Sequence, residues 1–352
     1  MSPAVPRIRD RFRFPRIVAG LALLQIAVVV GVIALSGGAH AEPARRRSGD
    51  VRYEPPKSED GVPEQFRLAT HSFHFAEETR SQPSDKVYAS RVTFPSPVTT
   101  EYESNNTVHC EYFRPTNVAA NEKLPGVVVL HILGGDFPLS RLFCNALAQQ
   151  RCAALFVKMP YYGPRRPQGV SRRMISADPS ETVAGMRQAI LDIRRARAWL
   201  EGQDEIDDAQ LGVFGISLGG ITAALAGTLE PRFTKVCPML AGGDIAQVAW
   251  ESPELARVRR EWERKGQSRD EIQKLLLTID PVTYAANLKG RSVLMLNASQ
   301  DEVIPRPCTD SLWESFGRPR IVWYNAGHIS ALRYLPEGLN EVSHFFAPAK
   351  RK

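Results

Sequence analysis

The sequence predicts an α/β fold built on a mostly parallel sheet, and three observations carry that expectation. Short apolar runs recur along the chain: "GVVVLHI" (126–132), "CAALFVKMP" (152–160), "QLGVFG" (210–215), "TKVCPMLAG" (234–242), "RSVLMLNA" (291–298) and "RIVWYNAG" (320–327). Their uninterrupted apolar centres suit strands buried on both faces. Segments of helical period lie between them. In "ETVAGMRQAILDIRRARAWL" (181–200), Val183, Met186, Ile190, Ile193 and Leu200 fall on one stripe, and Arg187, Arg194 and Arg195 read as a solvated face. Strands alternating with helices imply βαβ units with right-handed crossovers, hence a central sheet flanked by helices.

The flanking segments read differently. Residues 1–41 combine an arginine-rich start with the uncharged run "IVAGLALLQIAVVVGVIAL" (17–35) and end in Ala39-His40-Ala41. This is the pattern of a cleaved signal peptide, or of an N-terminal membrane anchor if residues 17–35 are retained. Either way the main domain is expected to be exported, to the periplasm or beyond. Residues 42–85, rich in charge, proline and serine, read as a linker and loosely structured extension. His71 and His74 within it lack the further ligands a metal site needs. From residue 86, "VYASRVTFPS" and "TVHCEYFRP" predict two antiparallel edge strands, so the main domain spans 86–348. Residues 245–288 interrupt the alternation with two helix-like segments, "SPELARVRREWERKG" and "SRDEIQKLLL". This insertion is expected to form a small helical cap over the strand ends.

Charge and cysteines narrow the function classes. The net charge is +7, but residues 1–41 supply +4 of it, leaving +3 for the rest. That balance argues against nucleic acid as a partner. The five cysteines form no CxxC pair, so no zinc or redox site is expected. Cys144 and Cys152 are the nearest candidates for a disulfide, and burial as small hydrophobes is the alternative for all five.

The chemistry concentrates at Gly215-Ile216-Ser217-Leu218-Gly219. This G-x-S-x-G follows an apolar strand and opens the small-residue helix "LGGITAALAG" (218–227), the strand-turn-helix setting of a nucleophile elbow. The glycines leave room for a strained backbone that holds the serine out. A serine needs a base, and the base needs an acid to orient it. Asp301 follows the strand "RSVLMLNA" and His328 follows "RIVWYNAG", giving the order Ser, Asp, His at the C-terminal ends of strands that converge on one sheet edge. Glu302, Asp244 and Asp280 are the competing acids. Glu302 should point away, and Asp280 in "IDPVTY" reads as a turn or cap. His131 is the other histidine near a strand's end. The backbone N–H of Leu218 is one expected oxyanion donor. The second is expected from the loop "ILGGDF", at Leu133, with Ile132 as its neighbouring alternative. "PYYGPRR" places Tyr161, Tyr162, Arg165 and Arg166 on a strand-end loop as candidate substrate contacts.

These motifs, with "LHILGG", "MPYYGPRRP" and "DPVTYAANLKGRSVLMLNASQDEVIP", resemble the α/β-hydrolase fold across residues 86–348. The resemblance is nearest to the dienelactone-hydrolase-like and acetyl-xylan-esterase-like branch. It implies a serine hydrolase acting on a small-molecule ester, without metal or organic cofactor. Relatives commonly carry His-Gly at the oxyanion turn where this chain has His131-Ile132, and a nucleophilic serine departs from a true dienelactone hydrolase. The rival functions are a serine peptidase of prolyl-oligopeptidase type, for which the chain has no room for a propeller, and a non-catalytic hydrolase-fold binding protein.

Overall fold

The computed structural model describes residues 46–135 and 137–348. The expected signal or anchor segment lies outside the described residues. Ten strands form one sheet in the order β1-β2-β3-β4-β6-β5-β7-β8-β9-β10. Strands β1 (Arg46–Tyr53), β2 (His71–Ser84), β3 (Val87–Pro95) and β4 (Thr107–Pro115) run antiparallel, and β4 pairs antiparallel with β6. The remaining six, β5 (Leu124–Leu130), β6 (Ala153–Lys158), β7 (Ile206–Ile216), β8 (Lys235–Met239), β9 (Ser292–Ala298) and β10 (Arg320–Tyr324), are mutually parallel.

The apolar runs are continuous because helices cover both faces. In β5, Val128 and Leu130 enter one core while Val127 and Val129 enter the other; β6 divides Leu155 and Phe156 in the same way. Helices α1 (Phe137–Gln149) and α8 (Leu335–Phe346) cover the second face through Phe143, Leu147, Val342 and Phe346. Helices α2 (Pro179–Glu201) and α3 (Leu218–Leu229) cover the first. Helix α2 starts where it does because Asp178 accepts the Ser180 N–H at 2.9 Å and Pro179 sets the first turn.

Two expectations are corrected together. Residues 46–85 are not a loose extension: β1 and β2 form a hairpin that adds two strands beyond β3, so β3 and β4 are interior. The polar composition that suggested a linker is arranged in cross-strand ion pairs, Arg46 with Glu78 at 3.2 Å and Arg47 with Glu77 at 2.8 Å. Phe73 and Phe75 of β2 point into the core, where Phe75 and Tyr112 meet the Trp199 ring edge-on at 5.8 and 5.0 Å. The same segment covers the face of α2 expected to be solvated. Arg194 is fully buried, pairing with Glu230 at 3.1 Å and with Glu59, and donating to the Phe66 carbonyl. Arg187 and Arg195 are part-buried and donate to the Gln65 and Pro95 carbonyls. His71 stacks on Tyr53, and His74 pairs with Asp50.

The insertion between β8 and β9 contains α4 (Ile245–Glu251), α5 (Ala256–Arg264) and α6 (Arg269–Leu276), followed by 3-10 turns through Leu288. Helix α6 opens with a capping box in which Ser268 and Glu271 satisfy each other's backbone N–H groups. Helix α7 (Arg306–Ser315) lies between β9 and β10. All five cysteines are free and buried, so the candidate pair Cys144 and Cys152 is unbridged and the alternative of burial as small hydrophobes fits all five. Burial raises the pKa of each thiol. Among the described residues, no helix is long and apolar enough to cross a membrane.

Candidate active site

Ser217 sits between β7 and α3 with φ 56° and ψ −118°, a backbone conformation that L residues rarely adopt. Its N–H donates to the Met239 carbonyl of β8 at 2.8 Å, and its own carbonyl accepts from Ile221 at 2.9 Å. The flanking glycines are steric requirements. A Cβ on Gly215 would lie 2.1 Å from the Gly219 carbonyl oxygen, and one on Gly219 would lie 2.6 Å from the Leu130 and His131 carbonyl oxygens. The elbow is therefore packed backbone to backbone against the end of β5.

Three side chains expected at separate strand ends come together here. His328 Nε2 is 2.9 Å from Ser217 Oγ, and His328 Nδ1 is 2.7 Å from Asp301 Oδ2. Asp301 Oδ1 accepts from the Val303 and Ile304 N–H groups at 2.9 and 2.7 Å, which fixes the carboxylate plane. A carboxylate on Nδ1 selects the tautomer that leaves Nε2 free to accept the serine proton. Ser217 is 7% and His328 6% exposed, so this chain of hydrogen bonds operates largely out of water.

Glu302 does more than point away. Its Oε2 accepts the His328 backbone N–H at 2.9 Å, and a Cβ on Gly327 would meet that oxygen at 2.4 Å. It braces the loop that carries the histidine. No local motif announces this; adjacency to Asp301 is the only trace in the sequence. Asp280 is a cap, as its Asp-Pro context suggested, and accepts from the Ile245 and Val282 N–H groups at 2.8 and 3.0 Å. Asp244 caps α4 through the Gln247 N–H at 3.2 Å.

His131 has a structural role. It is fully buried, its Nε2 accepts the Met159 N–H at 3.1 Å, and its Nδ1–H donates to the Ile132 carbonyl at 2.8 Å. The Gly135 N–H donates to the same carbonyl at 3.0 Å. In a trans peptide the N–H points opposite to the C=O. Two donors on the Ile132 carbonyl therefore fix the direction of the Leu133 N–H despite the β-branched residue. Burial pushes the His131 pKa down from its ordinary value of 6.5 to about 4. A histidine held neutral in the fold but free to protonate when unfolded contributes stability above pH 6.5 that is lost as pH falls toward 4. At about 1.4 kcal/mol per pKa unit, the loss is on the order of 3 kcal/mol. Thermal denaturation should show a falling midpoint over that window, with a shallower fall in His131→Gln.

The loop "PYYGPRR" does not contact the serine. Arg165 is fully buried, pairs with Asp192 at 2.8 Å and donates to the Asn105 and Lys158 carbonyls at 2.8 and 3.1 Å. It is thus a structural cation and not a substrate contact. Tyr161 is buried with φ 66°, its N–H bonded to Asn105 Oδ1 at 3.0 Å and its ring under Arg172. Tyr162 packs edge-on against the His131 ring at 4.6 Å. Of the three expected substrate contacts, Tyr162 packs on the turn after β5 and Tyr161 and Arg165 are tied to Asn105. Arg166 is exposed.

Ser217, Leu218 and Leu133 line one pocket. Ile175, Thr182 and Met186 form one wall, and the insertion contributes the opposite one, including Val248, Leu255, Trp262 and Leu276. The insertion thus contributes lining to the pocket that holds the serine, and that lining is almost entirely apolar. Among the described residues, no cluster of three or more His, Cys, Asp or Glu is placed to hold a metal ion.

The fold is that of the α/β hydrolases, and Ser217, His328 and Asp301 meet at its strand ends. Residues 76–248 match the family model described as alpha/beta hydrolase domain containing 18. An uncharacterized protein of Mycobacterium tuberculosis (strain ATCC 25618 / H37Rv) is 30% identical over 182 residues, 51% of this chain and 42% of its own length. The chain therefore spans less than half of that relative. Uncharacterized protein YdjC of Bacillus subtilis (strain 168) is 33% identical over 79 residues, 22% of this chain and 68% of its own. Among solved structures, an acetyl xylan esterase from Paenibacillus sp. R4 superposes with a TM-score of 0.60 at 17% identity over 96% of both chains. Acetyl xylan esterase 1 from Thermoanaerobacterium sp. JW/SL YS485 gives 0.59 at 18% identity, over 78% of this chain and 87% of its own. These two share the fold.

Proposed function

We propose that the protein is a serine esterase that cleaves carboxylic esters through an acyl-enzyme on Ser217. The observation that carries this reading is the continuous chain Asp301–His328–Ser217 opening on an apolar pocket. Ser217 Oγ attacks the ester carbonyl while His328 Nε2 takes its proton, and Asp301 stabilises the imidazolium through Nδ1–H. The Leu218 N–H at the start of α3 and the Leu133 N–H receive the developing oxyanion. Collapse of the tetrahedral intermediate expels the alkoxide, which leaves as alcohol with the proton from His328. Water then surrenders a proton to His328 as it attacks the acyl carbonyl, and the second collapse returns that proton to Ser217 and releases the acid. Every proton is accounted for by one histidine, so the steps need no cofactor. Export through residues 1–41 belongs to the same proposal and is supported by the sequence of that segment. Its check is the mature N-terminus, expected at Glu42 if the segment is cleaved and at the original start if it serves as an anchor.

Hydrolysis of p-nitrophenyl acetate, butyrate and octanoate tests the esterase. Each buried methylene gains about 0.8 kcal/mol on transfer from water. A largely apolar pocket should therefore favour octanoate over acetate by at least about tenfold in kcat/KM. Turnover restricted to acetate would remove the pocket from the acyl side. Glu302→Ala should lower kcat by roughly tenfold, because a small displacement of the base is enough to do so. Glu302→Gln keeps an accepting oxygen and should recover most of the rate. Equal losses in both variants would show that the His328 N–H bond is not what Glu302 contributes.

A further inference from the structure

Two residues that line the pocket over Ser217 carry buried polar atoms without a hydrogen-bond partner. Ser252, at the end of α4, is 1% exposed, and its hydroxyl has no partner. Trp262, in α5, is 2% exposed, and its indole N–H has none either. Both residues line the same pocket as Ser217. The other polar residues of the wall are accounted for. The Thr182 hydroxyl accepts the Ser176 N–H at 3.0 Å, and Glu254 is exposed to water. Buried polar groups in folded proteins are nearly always paired, so two unpaired ones in one binding pocket call for a ligand group. An indole N–H can only donate, and a serine hydroxyl donates or accepts. The complement to both is an oxygen that accepts.

We propose that this pocket selects esters whose buried arm carries a hydrogen-bond-accepting oxygen set within a hydrocarbon chain, recognised by the Trp262 N–H and the Ser252 hydroxyl. A hydroxyl, ether or carbonyl oxygen meets the requirement. The inference rests on the esterase reading, since Ser217 must act on the ester that the pocket holds. Discrimination arises because a plain chain leaves both donors unpaired in a dry pocket, whereas the oxygenated chain pairs them. Sites built to hydrogen-bond one substrate atom discriminate strongly against analogues that lack it.

The test is an oxygen scan. p-Nitrophenyl octanoate is compared with analogues in which one chain methylene at a time is replaced by an ether oxygen. A second series places the oxygen in the alkyl arm of octyl acetate. At least one position in one series should exceed its all-carbon parent by about tenfold or more in kcat/KM. That gain should shrink to within about threefold in Ser252→Ala and in Trp262→Phe. A wild-type melting midpoint is the control for folding, and Ser252→Ala carries the test should Trp262→Phe not fold. An all-carbon parent preferred at every position, or a gain unchanged in both variants, overturns the inference and leaves the esterase standing. No turnover of any ester overturns the esterase reading and this inference with it.

Discussion

Ser217→Ala should lose about four to six orders of magnitude in kcat/KM for p-nitrophenyl octanoate and still fold. The hydroxyl is the proposed nucleophile, and nothing else in the pocket can replace it: the other hydroxyls there, Thr182 and Ser252, lie outside the Asp301–His328 chain. Folding should survive because the Ser217 side chain makes its hydrogen bond to His328 alone, while its backbone is held by Met239 and Ile221. The strained φ of 56° is borne by alanine much as by serine. His328→Ala should cost a similar amount. Because the two act as a unit, the double variant should lose no more than either single one. A double variant with the product of the two losses would show that serine and histidine work independently. Melting midpoints within a few degrees of the wild type would assign the loss to chemistry.

The second large effect is on stability. Gly215→Ala and Gly219→Ala should each destabilise by about 4 kcal/mol or more, or yield no soluble protein. The clashing atoms are backbone carbonyls of Gly219, Leu130 and His131 at 2.1 to 2.6 Å, and no side-chain rotation relieves them. Relief would require moving α3 off the end of β5, and with it the serine. Gly134→Ala is the control, since nothing lies within 4 Å of its added Cβ, and it should change the midpoint little. Three equal midpoints in thermal denaturation would mean that the elbow is loosely packed and that the glycines have no steric role.

These two predictions concern the part of the molecule most legible in the sequence, for a physical reason. The elbow is a local steric problem solved within five residues, so its solution is written in five residues. The positions of Asp301 and His328 were legible because parallel strands deliver their C-terminal ends to one edge, which makes chain order sufficient. The insertion showed only as a break in the alternation, and its place in the pocket lining became visible in the structure.

What was not legible depended on partners far along the chain. The Arg165 guanidinium reads as a candidate substrate contact until Asp192, on α2, is seen beside it. The arginines of α2 read as solvated because the segment that buries them was itself read as a linker. That segment's charges look disorder-forming in sequence. In space Arg46 and Arg47 face Glu78 and Glu77 across a hairpin, and Glu59 reaches Arg194. Composition counts charges but does not pair them, so one missed hairpin produced both errors. Removing Glu59 from the buried Arg194 should cost about 3–5 kcal/mol, whereas the exposed Arg46–Glu78 pair is worth about 1 kcal/mol at most. The role of Glu302 was hidden for the related reason that its partner is a backbone N–H, which has no sequence signature.

The central claim is that Ser217 is an activated nucleophile. Its most direct test needs no knowledge of the natural ester: incubation with a fluorophosphonate, followed by intact-mass measurement and peptide mapping. The account predicts one phosphonyl adduct per chain, located on Ser217, absent in Ser217→Ala and strongly slowed in His328→Ala. An unmodified protein, or an adduct that maps elsewhere and persists in Ser217→Ala, would contradict it and leave a hydrolase fold that binds without catalysing.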